Sequence, residues 1–432
     1  MRITALLCLL FLLIPFSKSW GDDMEQRIQA LENASNIQTE TIEEQQKAIE
    51  ELKKGSDTEK QKSAGVTGLF GSASLANPNI SLIVDTFFYS SNHNDGELEA
   101  RSIPGFTNAG IEKRNGFNLE SAELFIYAPV DPYFNLYATI PVTEDGAEVE
   151  EAYFITTALP KGAQVKGGKF KSGFGRINSQ HPHAWDFADA PLAYRGFTGE
   201  EGIIEKGVQL TYLPELPFYT QLGAEALQGD NNLLFGQDAK SGAHTFSAFA
   251  KASFDMGDYS TILFGPSVVV GKARNSSIAD DREFAGDTTL YDLEFTYKWK
   301  PSKARSFTLQ SEYLLRSQDG NLTDTVSSTA DTLKRTQDGV YLQGIYQIGR
   351  CRVGARFDRM EVFRDDYRLS GADQDFGERP WRATGSVEYN LSEFSRIRVQ
   401  YNHDRSGRDG VTNNEVLVQL IFGIGAHSAH PF

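Results

Sequence analysis

The sequence predicts an all-β fold, a sixteen-stranded antiparallel transmembrane β-barrel, with a short N-terminal periplasmic coiled-coil helix. Three observations carry this prediction: long runs of alternating apolar and polar residues, connections that are alternately short and long, and a chain that ends directly after a strand-like run. A tilted strand needs about 9–11 residues to cross a bilayer. Bacterial membrane barrels combine an even strand number with short turns on one side and long loops on the other.

The chain opens with a predicted secretory signal peptide, residues 1–19. Arg2 precedes an apolar run, and Ser17 and Ser19 stand at the positions of small residues before a cleavage site. A membrane-spanning helix is the alternative, but the run is shorter than the roughly 20 residues that such a helix needs. Cleavage would leave Cys351 as the one cysteine, so an intramolecular disulfide is excluded. The formal net charge of −16 gives no basic footprint, so no nucleic-acid partner is expected.

Residues 22–54 predict a periplasmic coiled-coil helix, and residues 55–78 a linker to the barrel, 79–432. The helix lacks glycine and aromatic residues, and its seam repeats with spacings of three and four. A single helix with so narrow a stripe is marginal in water, which favours self-association, here a homotrimer. A solvated, partly ordered linker remains the alternative. The seam positions are Ile28, Leu31, Ser35, Gln38, Ile42, Gln45, Ile49 and Leu52.

From Asn79 onward the helical period gives way to a period of two. In "YDLEFTYKW", Tyr291 and every second residue after it are apolar, whereas Asp292 and its alternates are polar. The sixteen predicted strands are 79–90, 117–128, 133–143, 147–159, 163–171, 203–213, 217–228, 243–256, 259–272, 288–300, 305–317, 337–348, 350–360, 381–391, 395–404 and 413–426. A soluble sandwich also alternates, but its strands average nearer five or six residues.

The connections favour the membrane barrel over the sandwich. Tight turns such as "PVDP", "PKGA", "LPELP" and "PSKA" alternate with long polar stretches. The predicted long loops are 91–116, 172–202, 229–242, 273–287, 318–336 and 361–380. On the long-loop side, 144–146 and 405–412 are short.

The chain ends on "GAHSAHPF", directly after the last strand. In a closed barrel the last strand pairs with the first, so no further segment is required. Phe432 is predicted to be the assembly signal that the barrel-assembly machinery reads. His427 and His430 are interpreted as interfacial residues or part of that signal, with metal binding as the alternative.

The third long loop, 172–202, is the predicted constriction loop. It is the longest and the richest in unusual side chains, and a sixteen-stranded barrel is wide enough to leave a water-filled lumen. The alternative is a structural plug whose carboxylates pair with Arg176 and Arg195. His181 and His183 are minor metal candidates, no metal site is assigned, and no cofactor is expected. The predicted constriction residues are His181, His183, Trp185, Asp186, Asp189, Arg195, Glu200 and Glu201.

A basic wall is predicted across the lumen, because arginine facing lipid at mid-depth costs about 2–4 kcal/mol. Its predicted pore-lining residues are Lys166, Arg350, Arg352, Arg356, Arg382, Arg396 and Arg398. In the alternative, these residues pair with the inward acids Asp85, Glu123, Glu294, Glu312 and Glu388. A basic wall facing an acidic loop would favour polar solutes without strongly selecting a sign of charge.

The segment "GGKFKSGFGRINSQHPHAW" resembles the "G-x-F-K-x-P-F-G" strand end of the phosphate-selective-porin-like families, with Gly173 where proline is usual. "HPHAWDFADAPLAYRGFTGEEG" and "GAHSAHPF" are similar to a branch of Gram-negative outer-membrane porins, some of them described as uncharacterised or as zinc-regulated receptors. The resemblance covers most of residues 80–432. It implies a barrel in the cell outer membrane, with the N-terminal arm in the periplasm.

The function expected from the sequence is that of a porin, passing small hydrophilic solutes or ions by passive diffusion. The alternative is a metal (zinc)-linked uptake or binding protein without energised transport, since the segment before the first strand is too short for a transporter plug. No enzyme is expected, because nucleophile-elbow and zinc-protease motifs are missing. The expected partners are the outer-membrane lipid bilayer, the assembly machinery, two further copies, and peptidoglycan or a periplasmic protein for the arm.

Overall fold

The computed structural model describes residues 78–425. Sixteen strands form the barrel: β1 Asn79–Ser91, β2 Gly116–Pro129, β3 Phe134–Val142, β4 Glu151–Thr156, β5 Ala163–Lys171, β6 Ile204–Tyr212, β7 Tyr219–Leu227, β8 Thr245–Met256, β9 Ser260–Ala279, β10 Arg282–Ser302, β11 Arg305–Asp324, β12 Ala330–Ile348, β13 Cys351–Leu369, β14 Trp381–Asn390, β15 Ser395–Asp404 and β16 Asn413–Gly425. The predicted signal peptide, coiled-coil helix, all but the last residue of the linker, and His427, His430 and Phe432 lie outside the described residues.

Each strand pairs antiparallel with the next one along the chain, and the sheet closes on itself. The closing pair is β16 with β1, in a register that runs from Ser81 opposite Gly425 to Ser91 opposite Glu415. The predicted closed barrel of sixteen antiparallel strands is therefore confirmed. A further two-residue strand, Ala372–Asp373, pairs with the end of β13.

Helices are few in the described part of the chain: α1 Asp95–Glu99, α2 Leu192–Thr198 and a short 3₁₀ turn, Pro182–Ala184. Between residues 78 and 425, no helix has the length and apolar character needed to cross a lipid bilayer.

The polarity of the strands is the inverse of that in a soluble protein. On β10, Tyr291 and Leu293 are 48% and 41% exposed, whereas Asp292 and Glu294 are 4% and 1% exposed. The same alternation runs along β15, where Val399 is exposed and its polar neighbours are buried. Polar side chains therefore point into the barrel and apolar ones point away from it, as a lipid environment requires.

Strands β9 to β13 are longer than predicted, with 19 to 21 residues each. The prediction of long loops at 273–287, 318–336 and 361–380 is therefore wrong for most of their residues, which continue the paired strands. The apolar–polar alternation of the outer face weakens in these extensions although the backbone pairing goes on. Inside them a separate apolar cluster forms from Ala273, Phe284, Leu322, Leu333 and Tyr367.

Long connections from the first half of the chain build an apolar core within the barrel. The connections after β1, β5 and β7 contribute Phe106, Phe197 and Phe235, each at most 1% exposed. These rings pack with one another and with inward residues of the wall, among them Leu314 and Met360. The core fixes where the polar side chains of the same connections lie.

Candidate functional site

The segment between β5 and β6 is fixed at its start by carboxylates of the barrel wall. Glu225 of β7 accepts a hydrogen bond of 2.8 Å from the Gly173 amide. Glu312 of β11 accepts from the backbone amides of Arg176 and Ile177. Gly175 has a φ of +62°, and a Cβ there would lie 2.5 Å from Glu312 Oε1. Inward carboxylates thus accept hydrogen bonds from the backbone amides of a turn that leads from the barrel wall into the interior.

His181 lies among three glutamates. Its Nε2 is 2.9 Å from Glu151 Oε2, and its Nδ1 is 3.5 Å from Glu150 Oε2 and 3.6 Å from Glu123 Oε2. His183 Nδ1 is 3.2 Å from the same Glu123 oxygen, and the two imidazoles stack with centroids 5.6 Å apart. We call these five residues the histidine–glutamate cluster. All five side chains are at most 13% exposed.

The cluster holds His181 in its protonated form. Burial alone would lower the pKa of His181, but the hydrogen bonds and negative charges of Glu150 and Glu151 outweigh it and raise the pKa to about 10. Lys171 Nζ lies 3.0 Å from Glu150 Oε1 and supplies a second positive charge. Three carboxylates are thus met by one imidazolium and one ammonium.

Farther along, Asp186 and Asp189 reach the predicted basic wall. Asp186 pairs with Arg352. Asp189 Oδ1 accepts 2.7 Å from Arg356 Nη2, and Asp189 Oδ2 accepts 3.1 Å from Arg382 Nη1. Burial acts to raise the pKa of Asp189, but these two guanidinium groups prevail and hold it well below its usual range.

Two side chains complete the contact around Asp189. Gln400 Nε2 donates to Oδ1 and Asn402 Nδ2 donates to Oδ2, each at 2.8 Å. Asp358 of β13 accepts from Arg356 at 3.0 Å. The carboxylate of Asp189 therefore accepts four hydrogen bonds from three neighbouring strands. We call Asp189, Arg356, Arg382, Gln400 and Asn402 the aspartate anchor.

The four other predicted wall residues each have a different environment. Arg398 donates to Glu388 at 2.6 Å and to the Trp185 carbonyl at 2.8 Å. Arg396 faces inward but lies only within 4.0 Å of Glu388. Lys166 lies over the Tyr153 and Phe170 rings. Arg350 does not join the wall, because the strand has ended and the residue lies exposed in the turn between β12 and β13.

The last predicted residues of the segment lie near a second basic group. Arg195 donates to the Gly110 carbonyl at 3.0 Å and lies 3.7 Å from Glu200. Glu200 is also 3.8 Å from Lys113, and the Glu201 carbonyl accepts from Lys171 at 3.3 Å. The alternative in which carboxylates of the segment pair with Arg195 is thus realised by Glu200, whereas Asp186 and Asp189 pair with the wall.

A small cavity lies beside the aspartate anchor, between Lys113, Asp189, Arg195, Glu200 and Arg382. Its volume of about 20 Å³ suits one or two water molecules. Three cationic and three anionic side chains line it, the third anion being Glu415, together with Tyr89, Ile111, Ala190 and Leu417.

Sequence reasoning named Glu123 only in the alternative, as a partner of the basic wall, and did not select Glu150 or Glu151. The acid-rich stretch "EDGAEVEEAY" just before and within β4 was the available signal. Gln400 and Asn402 were missed as well, although their strand parity already placed them on the same inward face as Arg398. Neutral amides carry no charge pattern, so only the structure reveals their contacts with Asp189.

Comparisons with known proteins support the fold. An uncharacterised protein of Aquifex aeolicus (strain VF5) is 42% identical over 380 residues, which span 82% of this chain and 80% of that protein. The outer membrane channel DcaP of Acinetobacter baumannii has a TM-score of 0.52 and 13% identity, over 81% of this chain and 96% of that one. The anion-selective porin from Comamonas acidovorans has a TM-score of 0.50 and 10% identity, over 81% and 99%. No protein-family model matches.

Proposed function

The chain belongs to the same family as the Aquifex aeolicus protein, and we propose that it is an outer-membrane porin. It passes small hydrophilic solutes or ions by passive diffusion through a lumen that segment 172–202 narrows. The barrel resides in the cell outer membrane as a homotrimer, with the N-terminal arm in the periplasm. The closed barrel with apolar residues outside and polar residues inside supports the membrane location.

The aspartate anchor is the observation that supports the proposal of a narrowed lumen. Asp189 lies at the middle of a segment that starts at β5, and its partners are on β13, β14 and β15. A segment that is held at its start by β5 and at its middle by β13, β14 and β15 runs across the interior instead of extending outward as a free loop. Together with the apolar core of the interior, the segment fills part of the space inside the barrel, which supports a narrowed lumen.

The charges of the anchor predict the type of solute. Asp186 pairs with Arg352, and Asp189 of the segment and Asp358 of β13 together neutralise Arg356 and Arg382, so this part of the interior carries paired charges and not a net positive field. Paired charges favour hydrated, polar solutes and select weakly for sign. We therefore expect a small conductance with little ion selectivity.

Single-channel recording in planar bilayers tests the proposal. The purified full chain should insert in steps and conduct, with groups of three steps if it is a trimer. Removing residues 180–189 should widen the passage and raise the conductance several-fold. A chain with Val326, Ser327 and Ser328 changed to glycine is the matched control, since these turn residues are exposed and remote from the segment. A folded chain that stays silent would overturn the porin proposal and favour uptake or binding without a pore.

A further inference from the structure

The histidine–glutamate cluster has the spacing of a metal site. One ligand atom each from Glu123, Glu150 and His181 lies within 4.8 Å of the other two. The Nδ1 atom of His181 is 3.5 Å and 3.6 Å from the Glu150 and Glu123 oxygens. Ligand atoms about 2.0–2.2 Å from a tetrahedral metal ion are separated by about 3.4 Å. The two distances from His181 therefore match the edges of such a tetrahedron, and the two glutamate oxygens lie within 4.8 Å of each other.

The groups around these three residues are those that support metal ligands. A histidine that binds a metal through one ring nitrogen usually donates its other N–H to a carboxylate. Here Nδ1 faces the two glutamates, and Nε2 is 2.9 Å from Glu151 Oε2. Lys171 orients Glu150 through a contact of 3.0 Å. His183 orients Glu123 through a contact of 3.2 Å.

A buried carboxylate oxygen points to a missing ligand. Glu123 is 4% exposed, and its Oε1 has no hydrogen-bond partner among residues 78–425. Leaving a charged oxygen buried and unsatisfied is costly. Glu123, Glu150 and Glu151 carry three negative charges and Lys171 one positive charge. A divalent cation with a neutral His181 brings the total to zero.

We propose that Glu123, Glu150 and His181 bind one divalent first-row transition-metal ion, with Zn²⁺ as the best-fitting ion. One imidazole and two carboxylates suit Zn²⁺ better than Ca²⁺ or Mg²⁺, which prefer six or more oxygen ligands and keep several waters. His181 and Glu150 each retain a partial exposure of 13%.

The ion would tie three parts of the chain together. Glu123 is on β2, Glu150 ends the connection from β3 to β4, and His181 belongs to the segment that follows β5. The site would thus fasten the first half of that segment to β2 and to the connection before β4, whereas the aspartate anchor fastens its second half to β13, β14 and β15. This inference does not rest on the porin proposal, because it needs only the folded barrel.

Metal binding by the full-length chain in detergent tests the site. After treatment with a chelator and dialysis against Zn²⁺, the wild type should retain one Zn²⁺ per chain, and Co²⁺ should give the visible absorption of a tetrahedral site. Glu150→Gln and His181→Ala should abolish retention. Glu151→Gln, which removes only the supporting carboxylate, should weaken binding by about 10–100-fold. His93→Ala, at a histidine outside the cluster, should bind as the wild type does.

Two results would overturn the inference. One is a wild-type chain that retains no Zn²⁺ or Co²⁺ above a detergent blank. The other is binding that survives Glu150→Gln and His181→Ala but is lost when His427 and His430 are both changed to alanine, which would assign the ion to the C-terminus. Heat-modifiable migration in gels reports whether each variant folds. If His181→Ala does not fold, Zn²⁺ retention by Glu150→Gln decides whether the cluster binds the ion. Conductance is recorded separately, so loss of the metal site and loss of the porin function are distinguishable.

Discussion

Replacing Asp189 with asparagine should release the second half of segment 172–202 from the wall. The carboxylate accepts four hydrogen bonds, two on each oxygen. Asparagine keeps the shape but turns one of the two acceptors into a donor, so two wall donors would face an amide NH₂. Arg356 and Arg382 would then share only Asp358, which leaves one buried positive charge without a counter-ion.

The magnitude follows from the loss of a buried partner. Breaking one side of a buried ion pair costs about 3–5 kcal/mol, and each 1.4 kcal/mol is about tenfold in an equilibrium constant. The ratio of released to docked segment should therefore rise by about two to three and a half orders of magnitude. The arginines keep their hydrogen bonds to Asp358 and the barrel ladders are unaffected, so the barrel itself should stay folded.

Single-channel recording is the assay, since a released segment gives larger and noisier openings. Asp373→Asn is the matched control, because Asp373 also pairs with an arginine, Arg368, at 2.7 Å but is 79% exposed. Exposed pairs contribute about 0–1 kcal/mol, so this variant should record as the wild type does. If Asp189→Asn shows the wild-type conductance and noise while folding normally, the anchor does not hold the segment.

Three further outcomes are expected. Arg396→Gln should move the reversal potential toward cation selectivity at low salt, because the weakly paired inward charge is lost. The shift should fade near 1 M salt, where the screening length is about 3 Å, and Arg305→Gln, at the exposed start of β11, should have no effect. Deleting Phe432 should slow membrane insertion and lower the surface level measured by protease shaving, so an undiminished level would remove its signalling role. Deleting residues 22–62 should weaken the trimer while sparing the barrel; a deletion trimer as heat-stable as the full one would argue against the arm.

The strand count could be predicted from the sequence because each strand carries its own alternation. Leu293 and Asp292 show opposite burial on β10, as their neighbours in the sequence imply. The extensions of β9 to β13 into the predicted long loops could not be predicted in this way. There the outer face meets water, so Asp287 or Lys334 can occupy it, and the period of two disappears from the pattern while the backbone pairing continues.

The candidate site was predictable in parts. Strand parity correctly indicated that Arg356 and Arg382 face inward, because lipid penalises the opposite orientation. Which carboxylates they meet depends on the path of a 31-residue segment, which has no period to follow. The grouping of His181 with Glu150 likewise depends on two connections that meet only in the folded barrel.

The aspartate anchor also bears on the order of assembly. Its hydrogen bonds join residues that are 167 to 213 positions apart in the chain. The segment emerges from synthesis well before β13, β14 and β15 exist, so it must wait without its partners. Contacts of such long range are formed late and slow the folding of a domain. The interior is therefore expected to pack only when the final hairpins are in place. A chaperone or a membrane-insertion step that acts earlier would encounter a chain whose interior is not yet packed.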